Sequence, residues 1–218
     1  MRIGRWLVLL VTVGCATAPV SPDVQFAEGV AAVEPKSTFG RIFRDCRTAG
    51  AQLRQFIDEH PFDARAPQAQ AKIAQCFVEE KAWLEAENAW KTWIALYPGH
   101  RDLPTALLGM GNSQWEQRDS RDRDQSKIRA AASSYARVIR EFPATAEGEK
   151  AAGRYQAIRE ELAEHDWQVG RYYLKQGQRL AARTRFEATA QLYPETSWGK
   201  KAAGEVERLR PGLKVKKN

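Results

Sequence analysis

The sequence predicts an all-α solenoid of about five stacked helical hairpins, and three observations predict it. First, one ruler fits four prolines. Counting back from Pro61, Pro98, Pro143 and Pro194, the twelfth residue is Ala49, Ala86, Ala131 or Ala182, and the eighth is Leu53, Trp90, Tyr135 or Phe186. The fourth is Ile57, Ile94, Ile139 or Ala190, and the first is His60, Tyr97, Phe142 or Tyr193. Second, the ruler continues forward: the eighth residue after each proline is Ala69, Ala106, Ala151 or Ala202, and the twelfth is Ile73, Met110, Tyr155 or Val206. Third, nothing alternates with period two for long enough to make a strand, whereas Ala86, Ala89, Trp90, Trp93, Ile94 and Tyr97 step by three and four along one helix face. A small residue lets a neighbouring backbone approach, a large one a turn later fills the gap, and proline stops the helix. Each unit leaves a face unburied until the next stacks on it.

Taken in order, Asp23 to Val33 reads as a first helix ended by Pro35. From Thr38 the stripe Phe39, Ile42, Phe43, Cys46, Ala49, Leu53, Phe56 and Ile57 reads as one long helix up to Pro61. Asp63 is expected to cap a helix from about Ala66 to Glu80, with Pro67 tolerated in its first turn. Trp83 to Pro98 follows, and then a helix capped by Asp102 with Pro104 in its first turn. Pro98 to Pro143 spans 45 residues against 37 for Pro61 to Pro98, so a charged insert, Arg118 to Asp124, is expected to loop out. It is either a solvated loop or a docking place for a partner through Arg121, Asp122 and Arg123, with Asp124 capping the helix from Gln125 to Glu141. The last gap, Pro143 to Pro194, is 51 residues and reads as three helices, 145–164, 166–176 and 178–192, with Gly177 breaking the second from the third. A final helix from Ser197 to Arg210 ends at Pro211-Gly212.

The chain has 218 residues, 28% charged and 43% apolar, with a net charge of +7 spread along its length. Only Lys214, Lys216 and Lys217 cluster, which does not make a nucleic-acid stripe, and no nucleic acid is expected as partner. The start, Met1, Arg2, Arg5 and the apolar run Trp6 to Val13, is an export signal; a run of eight residues falls well short of a membrane span. Gly14-Cys15 at its end resembles a bacterial lipobox in which Cys15 carries the lipid, with Thr12 departing from the usual aliphatic residue. The other reading is an ordinary signal peptide cleaved near Ala16 or Ala18. The resulting organisation is a signal peptide at 1–14, a lipidated tether at 15–23, the solenoid at 24–210 and a basic tail at 211–218. Cys46 and Cys76 lie fifteen residues before and after Pro61, at similar heights on helices joined there. They are either a disulfide or two buried thiols acting as small apolar residues.

Catalytic chemistry is not expected. His60, His100 and His165 have no second ligand at metal spacing, and Glu164-His165-Asp166 has no accompanying nucleophile. Gly109-Met110-Gly111-Asn112 lacks the lysine of a phosphate loop and reads as close helix packing. No metal or cofactor is expected. Of the seven tryptophans, Trp198 stands near a helix start, where exposure would carry most meaning.

Alanine twelve before, an aromatic eight before and proline at the end of the second helix resembles the tetratricopeptide signature, which implies a right-handed α-solenoid. Endings FIDEHP, WIALYP and VIREFP, the insert RDSRDRD, and the segments AAASSYARVIREFP and ELAEHDWQVGRYYLKQGQRLAARTRFEATAQLYP narrow it. Together they resemble the outer-membrane assembly lipoproteins of the BamD (ComL) family. The resemblance implies a non-enzymatic scaffold, lipid-anchored on the periplasmic face of the outer membrane. It would bind the barrel subunit that inserts β-barrel proteins, with Arg185 at the matching contact position, and unfolded outer-membrane protein segments in its N-terminal repeats. Phe43, Phe56, Phe77 and Trp83 are the residues expected to line that peptide groove, by their position alone. The alternative is a periplasmic tetratricopeptide adaptor in cell-envelope or pilus biogenesis.

Overall fold

The computed structural model of the chain describes residues 20–34, 44–118 and 124–210. Among them run nine helices and no strand: α1 (Pro22–Val33), α2 (Cys46–Glu59), α3 (Ala66–Glu79), α4 (Trp83–Leu96), α5 (Leu103–Glu116), α6 (Ser126–Glu141), α7 (Ala146–Lys175), α8 (Arg179–Leu192) and α9 (Ser197–Arg208). Four of them, α2, α4, α6 and α8, end at His60, Tyr97, Phe142 and Tyr193, each directly before one of the ruler's prolines. At each end the capping N–H returns to the carbonyl four residues back, on Phe56, Trp93, Val138 or Thr189. The next residue, proline, has no N–H to continue with.

Consecutive helices pack as the hairpins α1/α2, α3/α4, α5/α6 and α7/α8, and α9 closes the array against α8 and α7. The odd-numbered helices also touch in the pairs α1/α3, α5/α7 and α7/α9 and form one layer, and each even-numbered helix packs against the odd-numbered helices before and after it. The fold is thus an all-α helical repeat. The ruler's large residues Leu53, Trp90, Tyr135 and Phe186 are all buried, as are Ala69, Ala106, Ala151 and Ala202. Each large residue lies flat on a glycine of an odd-numbered helix: Leu53 on Gly29, Trp90 on Gly109, Tyr135 on Gly111 and Phe186 on Gly170. A Cβ at any of these glycines would stand 2.5 to 2.8 Å from the side chain above it, so the close approach requires the missing Cβ. Buried Tyr135 keeps its hydroxyl satisfied on Asn112 Oδ1 at 2.8 Å, and burial pushes its phenol up to about 12.

Several boundaries differ from the expectations above. The helix ending at Pro61 begins at Cys46, because Asp45 is extended and its carboxylate takes the N–H groups of Arg47 and Thr48, a cap that fixes the start there. Asp63 does not cap α3; it binds Arg65 through the backbone N–H and guanidinium and so tightens the turn instead. Asp102 stands at the N-cap of α5 without a capping bond, and Asp124 takes the N–H and hydroxyl of Ser126 from one position further out. The two helices expected at 145–164 and 166–176 are one 30-residue helix, α7. Nothing at Glu164-His165-Asp166 breaks a helix, and Asp166 there is buried against α8. Gly177, at φ +75°, is the true break: its N–H bonds Leu174 and that of Gln178 bonds Tyr173, a Schellman closure.

The core is continuous from Val33 to Leu162 and Ala163. A second, smaller cluster under α8 and α9 holds only Ala182, Phe186 and Ala202 fully buried, with Trp167, Tyr173, Leu174 and Val206 packed against them. Trp198 is half-buried, packed at a tilt against Trp167 at 4.9 Å between ring centres, with Lys201 Nζ 3.6 Å from the Trp198 ring centre. Among the described residues no helix is long and apolar enough to cross a membrane.

One buried charge ties three helices together. Glu87 of α4 has a side chain 3% exposed and accepts from Lys91 Nζ at 2.7 Å, Lys127 Nζ of α6 at 2.8 Å, and the amides of Gln117 at 2.8 Å and Gln114 at 3.2 Å, at the end of α5. Burial alone pushes its carboxyl up; two ammonium groups and two amides outweigh it and hold the group at about 2. Since the folded value lies below the ordinary 4.5, the stabilisation is present above that value and is lost as pH falls through it toward 2. Glu87→Gln is therefore expected to cost on the order of 2 kcal/mol near neutrality. In urea denaturation the gap between variant and wild type should shrink by roughly half or more at pH 3; an equal gap at both pH values would mean that packing, not charge, makes the contribution.

Candidate functional site

The end of α7 and the outer face of α8 form an open bowl of about 670 Å³, rimmed by Tyr173, Leu180, Ala181, Thr184, Arg185 and Ala188. The Gly177 turn folds α8 back on α7, and Phe186, pointing inward, sets the rotation of α8 that leaves Leu180 and Arg185 outside. Leu180 is 78% exposed and Tyr172 60%, the latter edge-on to Tyr173. Arg185 Nη1 lies 3.8 Å from Oδ1 of buried Asp166, the same oxygen that stands 3.5 Å from His165 Nδ1. Its guanidinium is held from behind and remains reachable from the front. An apolar bowl with a cation at its rim suits a protein partner that offers an apolar side chain beside a carboxylate or carbonyl.

A second concavity separates α3 from α5. Cavities of about 360 and 320 Å³ share Gln75, Trp90 and Thr105 and so form one groove. Its walls carry Gln68, Lys72 and Gln75 from α3 and Thr105 and Asn112 from α5, while Trp90 and Trp93 of α4 make the floor. Trp93 is locked there by its indole N–H donating to Pro67 O at 2.8 Å. From Pro67 to Glu79 the groove runs for about 18 Å, room for five or six residues of extended chain. Amide, hydroxyl and aromatic groups in alternation can hydrogen-bond a peptide backbone and cover its side chains.

The residues expected to line a peptide groove are not this set. Phe43 lies outside the described residues. Phe56 is fully buried against Phe26 and His60, Phe77 is buried in the core beside a different cavity, and Trp83 is half-buried at the start of α4. Phe56, fully buried, offers no groove surface, which corrects the expectation for that residue; Phe77 lines a separate cavity of about 290 Å³ between α3 and α4, with Gln70 and Thr92. Trp90 and the polar residues of α3 and α5 were not singled out for this role. Cys15 and the insert residues Arg121, Asp122 and Arg123 also lie outside the described residues. The insert leaves from Arg118, whose guanidinium stacks 3.9 Å from the Trp115 ring centre, and re-enters at the Asp124–Ser126 bonds. Cys46 and Cys76 are joined as a disulfide, with α-carbons 5.7 Å apart. With Glu80 they are the group of potential metal ligands that comes together among the described residues, but the disulfide occupies both sulfurs and the Glu80 carboxylate takes the Cys46 N–H.

The family model YfiO, described as an outer membrane lipoprotein, matches residues 42–207. The chain belongs to this family. Its match runs from just before α2 to the last turn of α9 and takes in both the groove and the bowl. Among curated relatives, the outer membrane protein assembly factor BamD of Caulobacter vibrioides is 25% identical over 198 residues, covering 90% of this chain and 65% of the relative. That of Vibrio cholerae is 24% identical over 207 residues, 90% of this chain and 84% of the relative. That of Rickettsia prowazekii is 26% identical over 190 residues, 86% and 74%. The chain thus spans just under two thirds of the Caulobacter protein's length.

Proposed function

We propose that the chain is a lipid-anchored assembly factor for outer-membrane proteins that works by binding and not by catalysis. The observation that carries this is a family match spanning both concave surfaces, with relatives named as outer membrane protein assembly factors. In this reading Cys15 holds the lipid after removal of residues 1–14, a short tether leads to α1, and the solenoid lies on the periplasmic face of the outer membrane. The bowl with Arg185 docks the barrel subunit, whose periplasmic domains supply the apolar and acidic groups that it fits. The α3/α5 groove holds extended segments of substrate chains, and the insert with Arg121, Asp122 and Arg123 is a further contact. Residues 211–218, with Lys214, Lys216 and Lys217, are a basic tail by composition.

The test is affinity capture from gently solubilised outer membranes with a tag after Asn218. An outer-membrane barrel protein with periplasmic domains is expected among the captured proteins, and Arg185→Glu is expected to weaken its capture at least about tenfold, without loss of helicity by circular dichroism. Capture of peptidoglycan-associated or pilus proteins alone would replace this reading with that of an envelope adaptor.

A further inference from the structure

The four proline turns can be compared position by position. The residue directly after the proline is Phe62, Gly99, Ala144 or Glu195, and it is exposed in all four turns. The turn therefore needs no large side chain there. Phe62 is 100% exposed and adds nothing to the core. Two more exposed apolar residues stand at the same end of the molecule, Val20 and Val24 at the start of α1.

This end is rigid. Arg65 bonds Asp23 of α1 at 2.6 Å and Asp63 of the turn at 2.7 Å, and its guanidinium lies 5.3 and 5.4 Å from the ring centres of Phe26 and Phe56. Gln25 bridges to Glu59 at 2.7 Å and to His60 at 3.0 Å. The turn cannot fold back to cover Phe62 without breaking these bonds. Val20 is five residues from Cys15, so a lipid on Cys15 keeps it within about 18 Å of the membrane.

We propose that Phe62, with Val20 and Val24, enters the headgroup region of the phospholipid leaflet that holds the Cys15 lipid, setting the orientation of the solenoid on the membrane. The proposal rests on the lipid-anchor reading above. The acids nearest the patch, Asp23 and Asp63, are already paired with Arg65, so contact is apolar, with no demand for anionic lipid. Phe62 supplies most of the insertion, because an aromatic ring carries the largest apolar area of the three.

The lipidated full chain carrying Val24→Cys is labelled there with an environment-sensitive fluorophore; the paired Cys46 and Cys76 do not react. Gly99→Cys, labelled in the same way, is the control. Both are reconstituted on phosphatidylcholine vesicles containing lipid-borne spin-label quenchers. Quenching is expected to be about threefold or more stronger at position 24 than at 99, unchanged by salt, and to fall to the control level when Phe62→Ser is added. Since Phe62 touches nothing, that substitution leaves the fold intact. The mass of the purified chain reports the anchor separately. No acyl mass on Cys15 sinks the anchor and the proposal with it; acyl mass with equal quenching at both positions overturns the proposal alone. Protection at position 24 only when the barrel protein is added would assign the patch to a protein partner and likewise overturn it.

Discussion

Phe186→Ala is expected to cost about 3–5 kcal/mol and to release the C-terminal end of the molecule before the rest. Phe186 is the one large side chain fully buried in the cluster that otherwise holds Ala182 and Ala202, and it lies against Gly170, where no neighbouring Cβ can move in to refill the space. In a stacked repeat each unit is held only by its neighbours, so the loss stays local. Amides of α8 and α9 should exchange with solvent on the order of a hundredfold faster, while those of α3 to α6 keep their protection. Arg185 remains in the variant, yet partner binding should fall with the bowl that positions it. Unchanged protection across α8 and α9 would mean that the packed pair Trp167 and Trp198, not Phe186, holds this end.

The second large effect lies at the opposite end. The Cys46–Cys76 disulfide joins the first turn of α2 to the last turn of α3 across 30 residues of sequence. Closing a loop of that length removes unfolded-state freedom worth about 3–4 kcal/mol. Cys46→Ser with Cys76→Ser is therefore expected to lower Tm by roughly 10 °C, and reduction of the natural chain should reproduce the shift. The other ties at this end are polar and partly exposed: Glu80 with the Cys46 N–H, and Arg44 with Glu79 at 2.9 Å and Val33 O at 2.5 Å. They cannot substitute for a covalent bond. A double variant as stable as the oxidised natural chain would show that these polar ties alone suffice.

The repeat architecture was legible because it is written locally. Spacings of four, eight and twelve residues around Pro61, Pro98, Pro143 and Pro194 fix which face of each helix turns inward, and the residues eight before and eight after each proline are buried in all four repeats. The continuity of α7 was not legible from the repeat period, which suggests a turn every hairpin; it follows from the absence of glycine and proline from Arg154 to Val169. The groove was misread for a physical reason. Phe56 stands on an apolar stripe and goes to the core, while the groove walls are glutamine, threonine, lysine and asparagine, which in a sequence look like any solvated helix face. Leu180 left a trace: it falls outside the Ala182, Phe186, Thr189 and Tyr193 stripe, which marks an apolar residue facing out. Glu87 left only its i,i+4 pairing with Lys91, because its other partners Gln114, Gln117 and Lys127 lie 27 to 40 residues away.

The central claim, that this chain assembles outer-membrane proteins by docking a partner on the α7/α8 bowl, is most directly tested by depletion in its own cells. Folded β-barrel proteins in the outer membrane should fall severalfold as the chain is depleted. The natural chain should restore them, and a chain carrying Leu180→Asp with Arg185→Glu, present at equal amount, should not. Undiminished barrel content on depletion, or full rescue by the double variant, would contradict the account.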